Sequence, residues 1–402
     1  MKKKYILSMD GGGVRTLASI TFLKLLEKEM GKRVSEQFDF FVGTSAGAIS
    51  CLALSAKNFS AVELESMWSH ENLTKTMRAS SWETKLGLLQ ANPKYTSEGK
   101  REVLQEYFGD TKISEANKPV AILSYDIETR SPVLLTSYSE IDKDITLVDA
   151  GDATSAAPIY YPTAKVGDRY LIDGAIVANH PVLHGYVEAK KIFPNCELKV
   201  LSLGTGLSKR PLKGEASKKW GIVGWMMHDL FGLMVESSLD HELAGDLIGE
   251  NYIRVNSALD GVNRRLDDKS EPNLKKIIKM GEKWWDNFGL ETLNLLISDN
   301  PADADLLFTK GQLLSLLGRK NEAITSYKNT YLLDQDFPFV LGYLVEAKLA
   351  NCEWENIYEE FEEIKKKLAK QEEVCPPLLI SNFCDSLELQ SMAAKIWSKK
   401  KQ

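Results

Sequence analysis

The sequence has little of what would announce a chemistry by itself. Its 5 cysteines, Cys51, Cys196, Cys352, Cys375 and Cys384, are odd in number and carry no Cys-x-x-Cys pair. A disulfide framework is therefore not expected, and a reducing compartment fits. Positive charge is not in excess either: 50 Lys and Arg against 56 Asp and Glu leave a net charge of -6. Wrapping nucleic acid needs a basic face, so no nucleic-acid partner is expected. The Walker phosphate loop GxxxxGK[ST] does not occur. No apolar run reaches the roughly 20 residues needed to cross a bilayer. The longest, Trp220 to Val235, is interrupted by His228 and Asp229. In MKKKYILSMDGGG the lysines precede an apolar stretch that ends at Asp10, shorter than the core of about 7–15 residues in a secretory leader. That segment reads as a first strand, and the expectation is a cytoplasmic protein, peripheral at membranes at most.

What is present is an average globular composition, 44% apolar and 26% charged over 402 residues, in a chain long enough for two domains. Up to about residue 290, β-branched or aromatic runs alternate with helical patterns. Strands are expected at Tyr5–Met9, Phe38–Val42, Val120–Tyr125, Val133–Thr136, Tyr170–Ile172, Leu198–Leu203 and Tyr252–Val255. That rhythm predicts an α/β domain over 1–290, a mainly parallel sheet flanked by helices. Residues 291–402 lose the strand pattern. There Leu307, Gly311, Leu314, Gly318, Ala323 and Tyr327 have the spacing of one helix-turn-helix repeat of the tetratricopeptide type, about 34 residues long. A degraded second copy follows, and residues 376–399 supply a third helix pair on which such repeats could stack. A plain helical bundle is the other reading. Either form suits a protein partner or self-association through 291–402.

Two corners of the first domain could carry chemistry. In FDFFVGTSAGAIS an apolar run meets Gly43-Thr44-Ser45-Ala46-Gly47, a G-x-S-x-G pattern that places serine on a sharp strand-to-helix turn. The hydroxyl would stand at a helix amino end, where developing negative charge is stabilised. The plainer alternative is that Ser45 merely caps the helix. In SMDGGGVRT, Gly11, Gly12 and Gly13 form a loop whose N–H groups can face an anion. A dinucleotide is one candidate, although the third glycine of that fingerprint is missing. The oxyanion of an acyl-transfer intermediate is the other. Arg15 could steady this loop, face a phosphate head group or form a structural ion pair.

A serine nucleophile needs a base. The histidines are His70, His180, His184, His228 and His241, and a triad through His180 or His184 stays open. In DRYLIDGAIVANHP, Asp173 ends a short apolar strand before Gly174, which presents a carboxylate at a strand end. Burial would raise its basicity, although Asp-Gly is also an ordinary turn signal.

The motifs DGGGVR, GTSAG, TSAAPIYYPT, LIDGAIVANHP and LSLGTG, in that order over residues 4–256, resemble those of patatin-like phospholipases. The resemblance implies a Ser-Asp dyad with Ser45 as nucleophile and Asp173 as general base, and Gly11, Gly12 and Gly13 as the oxyanion hole. Arg15 stands at the family's usual basic position. It implies two-step hydrolysis of fatty-acyl esters through an acyl-enzyme, of phospholipase A or lysophospholipase type, with no metal or cofactor and a membrane or lysolipid substrate. Two positions depart from the family's pattern: Thr16 replaces a glycine and His180 an asparagine. Downstream, five basic residues precede Trp220, Trp225, Met226 and Met227 within 207–235. Such a segment suits a lid, an acyl-chain wall or a membrane-facing patch, and equally an ordinary core; Trp225 and Met226 are its candidate lipid contacts. A reading from another class is a catalytically silent lipid- or nucleotide-binding scaffold joined to a helical-repeat interaction module.

Overall fold

The computed structural model describes residues 2–79, 92–208, 214–221, 240–297, 303–316 and 318–399. The chain separates into two compact units, Met1–Thr292 and Leu293–Gln402. Unit one holds an eight-stranded sheet. Its strands are β1 (Lys2–Met9), β2 (Phe40–Thr44), β3 (Val120–Asp126), β4 (Ser131–Thr136), β5 (Ala164–Val166), β6 (Arg169–Asp173), β7 (Cys196–Leu203) and β8 (Tyr252–Val255). The order is β5-β6-β3-β2-β1-β7-β8, with β4 paired to β3. All seven expected strands are present. The one missed is β5, three residues beside β6, too short for a period-two pattern to register.

The five strands β3-β2-β1-β7-β8 run parallel, and such a sheet is stable only when covered on both faces. Successive side chains on a strand point to opposite faces. Ile6, Phe40, Val42, Ala121, Leu123 and Val200 accordingly share one cluster with Val182 and Ala189 of the helix Val182–Ile192. Their alternates Leu7, Met9, Phe41, Ile122 and Leu201 are equally buried on the other face. Near-continuous apolar runs in β1 and β2 follow from this double burial.

One departure from parallel order matters for the site. Along a single edge of β3, residues Val120–Leu123 pair with β2 and Ser124–Asp126 pair antiparallel with β6, while β4 occupies the other edge. β2 and β6 therefore meet end to end. The last β2 pair is Thr44 with Leu123, and the last β6 pair is Asp173 with Ser124. The carboxyl ends of both strands converge at adjacent positions.

Unit two is all-helical among its described residues, with helices Ala304–Leu316, Lys320–Leu333, Val340–Ala350, Ile357–Ala369, Pro377–Phe383 and Leu387–Lys399. One apolar cluster takes residues from all six, including Leu314, Tyr327, Leu344, Ile364, Ile380 and Ala393. A Cβ on Gly311 would stand 2.5 Å from the Tyr327 ring, so the glycine is what lets the first two helices close on each other. The last pair supplies apolar area that the first four helices lack by themselves.

Candidate functional site

Ser45 is the first residue of the helix Ser45–Ala56 and has φ +54, a left-handed conformation that costs an L-residue about 1–2 kcal/mol. The chain around it holds that strain in place. A Cβ on Gly47 would lie 2.4 Å from Met9 O and 2.5 Å from Asp10 O, so the helix can press against the end of β1 only where no side chain intervenes. The Ser45 N–H donates to Thr154 Oγ1 at 3.0 Å, and Thr154 Oγ1 donates to Leu123 O at 2.6 Å.

The Ser45 hydroxyl donates to Asp173 Oδ2 at 2.7 Å, across 128 positions of sequence. The other carboxylate oxygen, Oδ1, accepts from the Ala175 N–H at 2.9 Å. Asp173 is 2% exposed. Burial pushes its carboxyl up to about 6, against the opposing pull of the Ala175 N–H, the Ser45 hydroxyl and the Lys100 ammonium. A carboxylate so displaced is a better proton acceptor than a solvated one.

The glycine loop lies beside this pair, and Gly11, Gly12 and Gly13 line the same pocket as Ser45 and Asp173. The three amides are not equivalent. The Gly11 N–H donates to Asn179 O at 3.2 Å, and Gly11 O accepts from Asn179 Nδ2 at 3.2 Å and from Thr205 Oγ1 at 3.0 Å. Gly11 is thus the anchored end of the loop. No acceptor for the Gly12 or Gly13 N–H is found among the described residues, whereas buried amides are nearly always paired. Gly13 has φ +55 and its missing Cβ would meet Leu266 O at 2.3 Å, so only glycine fits. Asn179 and Thr205 were not singled out by the sequence reading, although both lie inside quoted motifs, ANHP and LGTG.

Arg15 is 2% exposed on the 3-10 turn Gly13–Thr16 and is not among the pocket's lining residues. Arg15, expected as a candidate substrate contact, is thus a buried side chain in the interior of the first unit. His180 is buried as well, its Nδ1 2.6 Å from Asp10 Oδ2. Asp10 Oδ2 also accepts from Arg254 Nη2, and Arg254 Nη1 donates to Ser202 Oγ at 2.8 Å. Burial opposes it, but the Arg254 guanidinium, together with the His180 hydrogen bond, holds the Asp10 carboxyl below the usual carboxylate range. His180 thus belongs to a buried hydrogen-bonded cluster with Asp10 and Arg254, and neither His180 nor His184 lines the pocket. Trp225 and Met226 lie outside the described residues.

The pocket has a cavity of about 130 Å³ and is mostly apolar. Ile49, Met67, Leu73, Met77, Val103 and Leu104 furnish the wall, with Tyr95, Tyr160 and Tyr161. Small-molecule sites are characteristically lined in this way, apolar walls carrying a few polar groups. Among the described residues, no helix is long and apolar enough to cross a membrane.

This combination, a mainly parallel α/β sheet with a serine on a strand-to-helix elbow and a buried carboxylate beside it, defines a class of serine-presenting α/β proteins. The profile described as patatin-like phospholipase matches residues 7–185. The chain is 31% identical over 285 residues to a cGAMP-activated phospholipase of Pseudomonas aeruginosa, covering 68% of this chain and 81% of that protein. It is 32% identical to patatin-like protein 2 of Arabidopsis thaliana, over 69% of this chain and 82% of that one. The chain belongs to the patatin-like phospholipase family. A potato relative at 29% identity is named probable inactive patatin-3-Kuras 1, so activity has to be argued from the site and not from likeness.

Proposed function

We infer that the first unit is a lipid acyl hydrolase of phospholipase A or lysophospholipase type, working through Ser45 and Asp173. The observation that carries this reading is the 2.7 Å hydrogen bond from the Ser45 hydroxyl to a buried Asp173 carboxylate, set in an apolar pocket. Asp173 takes the serine proton as Ser45 Oγ attacks the ester carbonyl. Negative charge gathers on the carbonyl oxygen, and the Gly12 and Gly13 N–H groups are the donors that receive it. Collapse expels the alcohol, which takes the proton from Asp173, and leaves an acyl-enzyme; Asp173 then takes a proton from the water that attacks the acyl carbonyl and returns it to Ser45 Oγ as the fatty acid leaves. Every step uses groups of the chain and water, so the reading calls for no metal or cofactor.

The wall of Leu, Met and Tyr side chains favours a fatty-acyl ester over a short polar one. In this reading the protein is cytoplasmic and meets membranes peripherally. Residues 293–402 act as a tetratricopeptide-like module for a protein partner or a second copy, a reading favoured by the close Gly311–Tyr327 packing. The Pseudomonas relative is named for activation by cGAMP, which makes a cyclic dinucleotide a natural effector to try here.

The test is release of fatty acid from phosphatidylcholine vesicles and lysophosphatidylcholine by wild type, Ser45→Ala and Asp173→Asn, with and without cGAMP. Labelling by a fluorophosphonate reports on Ser45 independently of substrate. Hydrolysis and labelling by wild type, both absent in Ser45→Ala, are expected. An active Ser45→Ala protein sinks the reading, and an unlabelled, inactive wild type favours the silent lipid-binding scaffold.

A further inference from the structure

Lys100 sits where a lysine is costly to keep. It belongs to the helix Glu98–Phe108, is 3% exposed and lines the pocket that holds Ser45 and Asp173. A buried ammonium is tolerated only when it is paired and hydrogen-bonded. Its Nζ lies 2.9 Å from Asp152 Oδ1 and reaches Asp152 O and Ser155 O at 3.2 Å and Ser155 Oγ at 3.1 Å. The Tyr161 ring centroid is 4.2 Å away. Both carbonyls stand at the carboxyl end of the helix Leu147–Thr154, where unpaired carbonyls and the negative end of the dipole favour a cation.

That helix end registers both members of the candidate dyad. Thr154 Oγ1 accepts from the Ser45 N–H at 3.0 Å. Thr154 O accepts from the Gly174 N–H at 3.3 Å, and Ala156 O accepts from the Asp173 N–H at 3.1 Å. Nucleophile and carboxylate come from strands far apart in sequence, and residues 152–156 are the template against which both are held. We propose that Lys100 is a positioning residue of the dyad: it fixes the 152–156 segment that sets the Ser45–Asp173 geometry and supplies positive charge to the Asp173 carboxylate. The proposal rests on the hydrolase reading of this site.

The charged and titratable groups bearing on Asp173 are few. The Ser45 hydroxyl and the Lys100 ammonium both favour its ionised form. Behind Lys100, Asp152 also receives Arg101 Nη1 at 3.1 Å, and Arg101 Nη2 is 2.7 Å from Asp149. Asp267, which also lines the pocket, is occupied by Lys94, Tyr95 and Arg265. Tyr161, over which Lys100 lies, is neutral because burial raises its phenol above the ordinary value. Removing Lys100 therefore takes away a cation that favours the ionised Asp173 while Asp152 keeps Arg101.

The experiment uses full-length K100M, K100R and the pair K100M/D152N, which removes the Lys100–Asp152 ion pair without changing the net charge. Hydrolysis of p-nitrophenyl butyrate is followed from pH 4.5 to 9, and thermal unfolding is recorded over the same range. K100M is expected to lower kcat about 10²-fold through misplacement of the dyad. It is also expected to move the acid limb of the rate profile upward by about half a pH unit or more. K100R, which keeps the charge, restores the limb, and K100M/D152N shows the same displacement as K100M. The unfolding series reads the same charge coupling without substrate, since K100M extends the pH-dependent loss of stability to higher pH and has no such effect in a D173N background. An acid limb and an unfolding profile unmoved by every Lys100 variant overturn the proposal, as does wild-type kcat in K100M. An inactive wild type would instead strike the hydrolase reading, with the unfolding series still deciding the role of Lys100.

Discussion

Replacing Asp173 by asparagine is expected to abolish ester hydrolysis and, at neutral pH, to make the protein more stable. Burial displaces the Asp173 carboxyl from 3.8 to about 6. At about 1.4 kcal/mol per pH unit this is a bias of roughly 3 kcal/mol against the ionised form in the folded chain. The sign follows from the direction. A folded-state value raised above the unfolded one favours folding fully below pH 3.8, and that benefit disappears as pH climbs through about 6. Wild type therefore loses stability between about pH 4 and 6, and Asp173→Asn does not. Asparagine can keep its oxygen on the Ala175 N–H and offer its amide to the Ser45 hydroxyl, so both hydrogen bonds survive. Thermal unfolding of the two proteins from pH 4 to 8 is the assay. Near pH 8 the variant should melt higher by about 5–10 °C, and the gap should close by pH 4. A melting difference that does not change with pH, or a variant less stable than wild type at pH 8, would refute the argument that burial and not local geometry sets the basicity of Asp173. The same displacement predicts an acid limb in the rate near pH 6 for the wild type.

Ser45→Gly and Ser45→Ala should both be inactive, yet the glycine variant should be the more stable by about 1 kcal/mol in denaturant titration, because φ +54 is strained for alanine and not for glycine. Gly47→Ala should destabilise by about 1–3 kcal/mol and weaken fluorophosphonate labelling, since its methyl would collide with the backbone at Met9 and Asp10. Arg254→Met should cost about 3–5 kcal/mol in the same titration, because it deprives the buried Asp10 carboxylate of a cation. His180→Asn should leave the acid limb near pH 6 in place, whereas a triad through His180 would remove it.

Seven of the eight strands and the helical character of the last hundred residues were legible, because parallel strands buried on both faces give long apolar runs and helices give a 3.6-residue period. Candidate chemistry was legible where backbone geometry restricts residue type: Gly43, Ser45 and Gly47 at the elbow, Gly11 to Gly13 in the loop, Asp173 before Gly174. Lys100 was not, since one lysine in EGKREVLQEYF looks like any solvated helix position. Nor was the fate of Arg15, whose burial depends on what packs over the turn. His180 drew attention as a potential base because residue type carries no record of partner, and its partner is Asp10.

Residue type along the chain restricts which local shapes it can take, and with them where a serine could be strained into exposure and where a loop could offer bare amides. Which groups meet is a matter of how the strands and helices assemble. The end-to-end approach of β2 and β6 along one edge of β3 brings Ser45 to Asp173, the Asn179 carbonyl takes the Gly11 amide, and burial raises the Asp173 carboxyl. These depend on strand register and on burial, and both are properties of the assembled sheet that no short stretch of residues encodes.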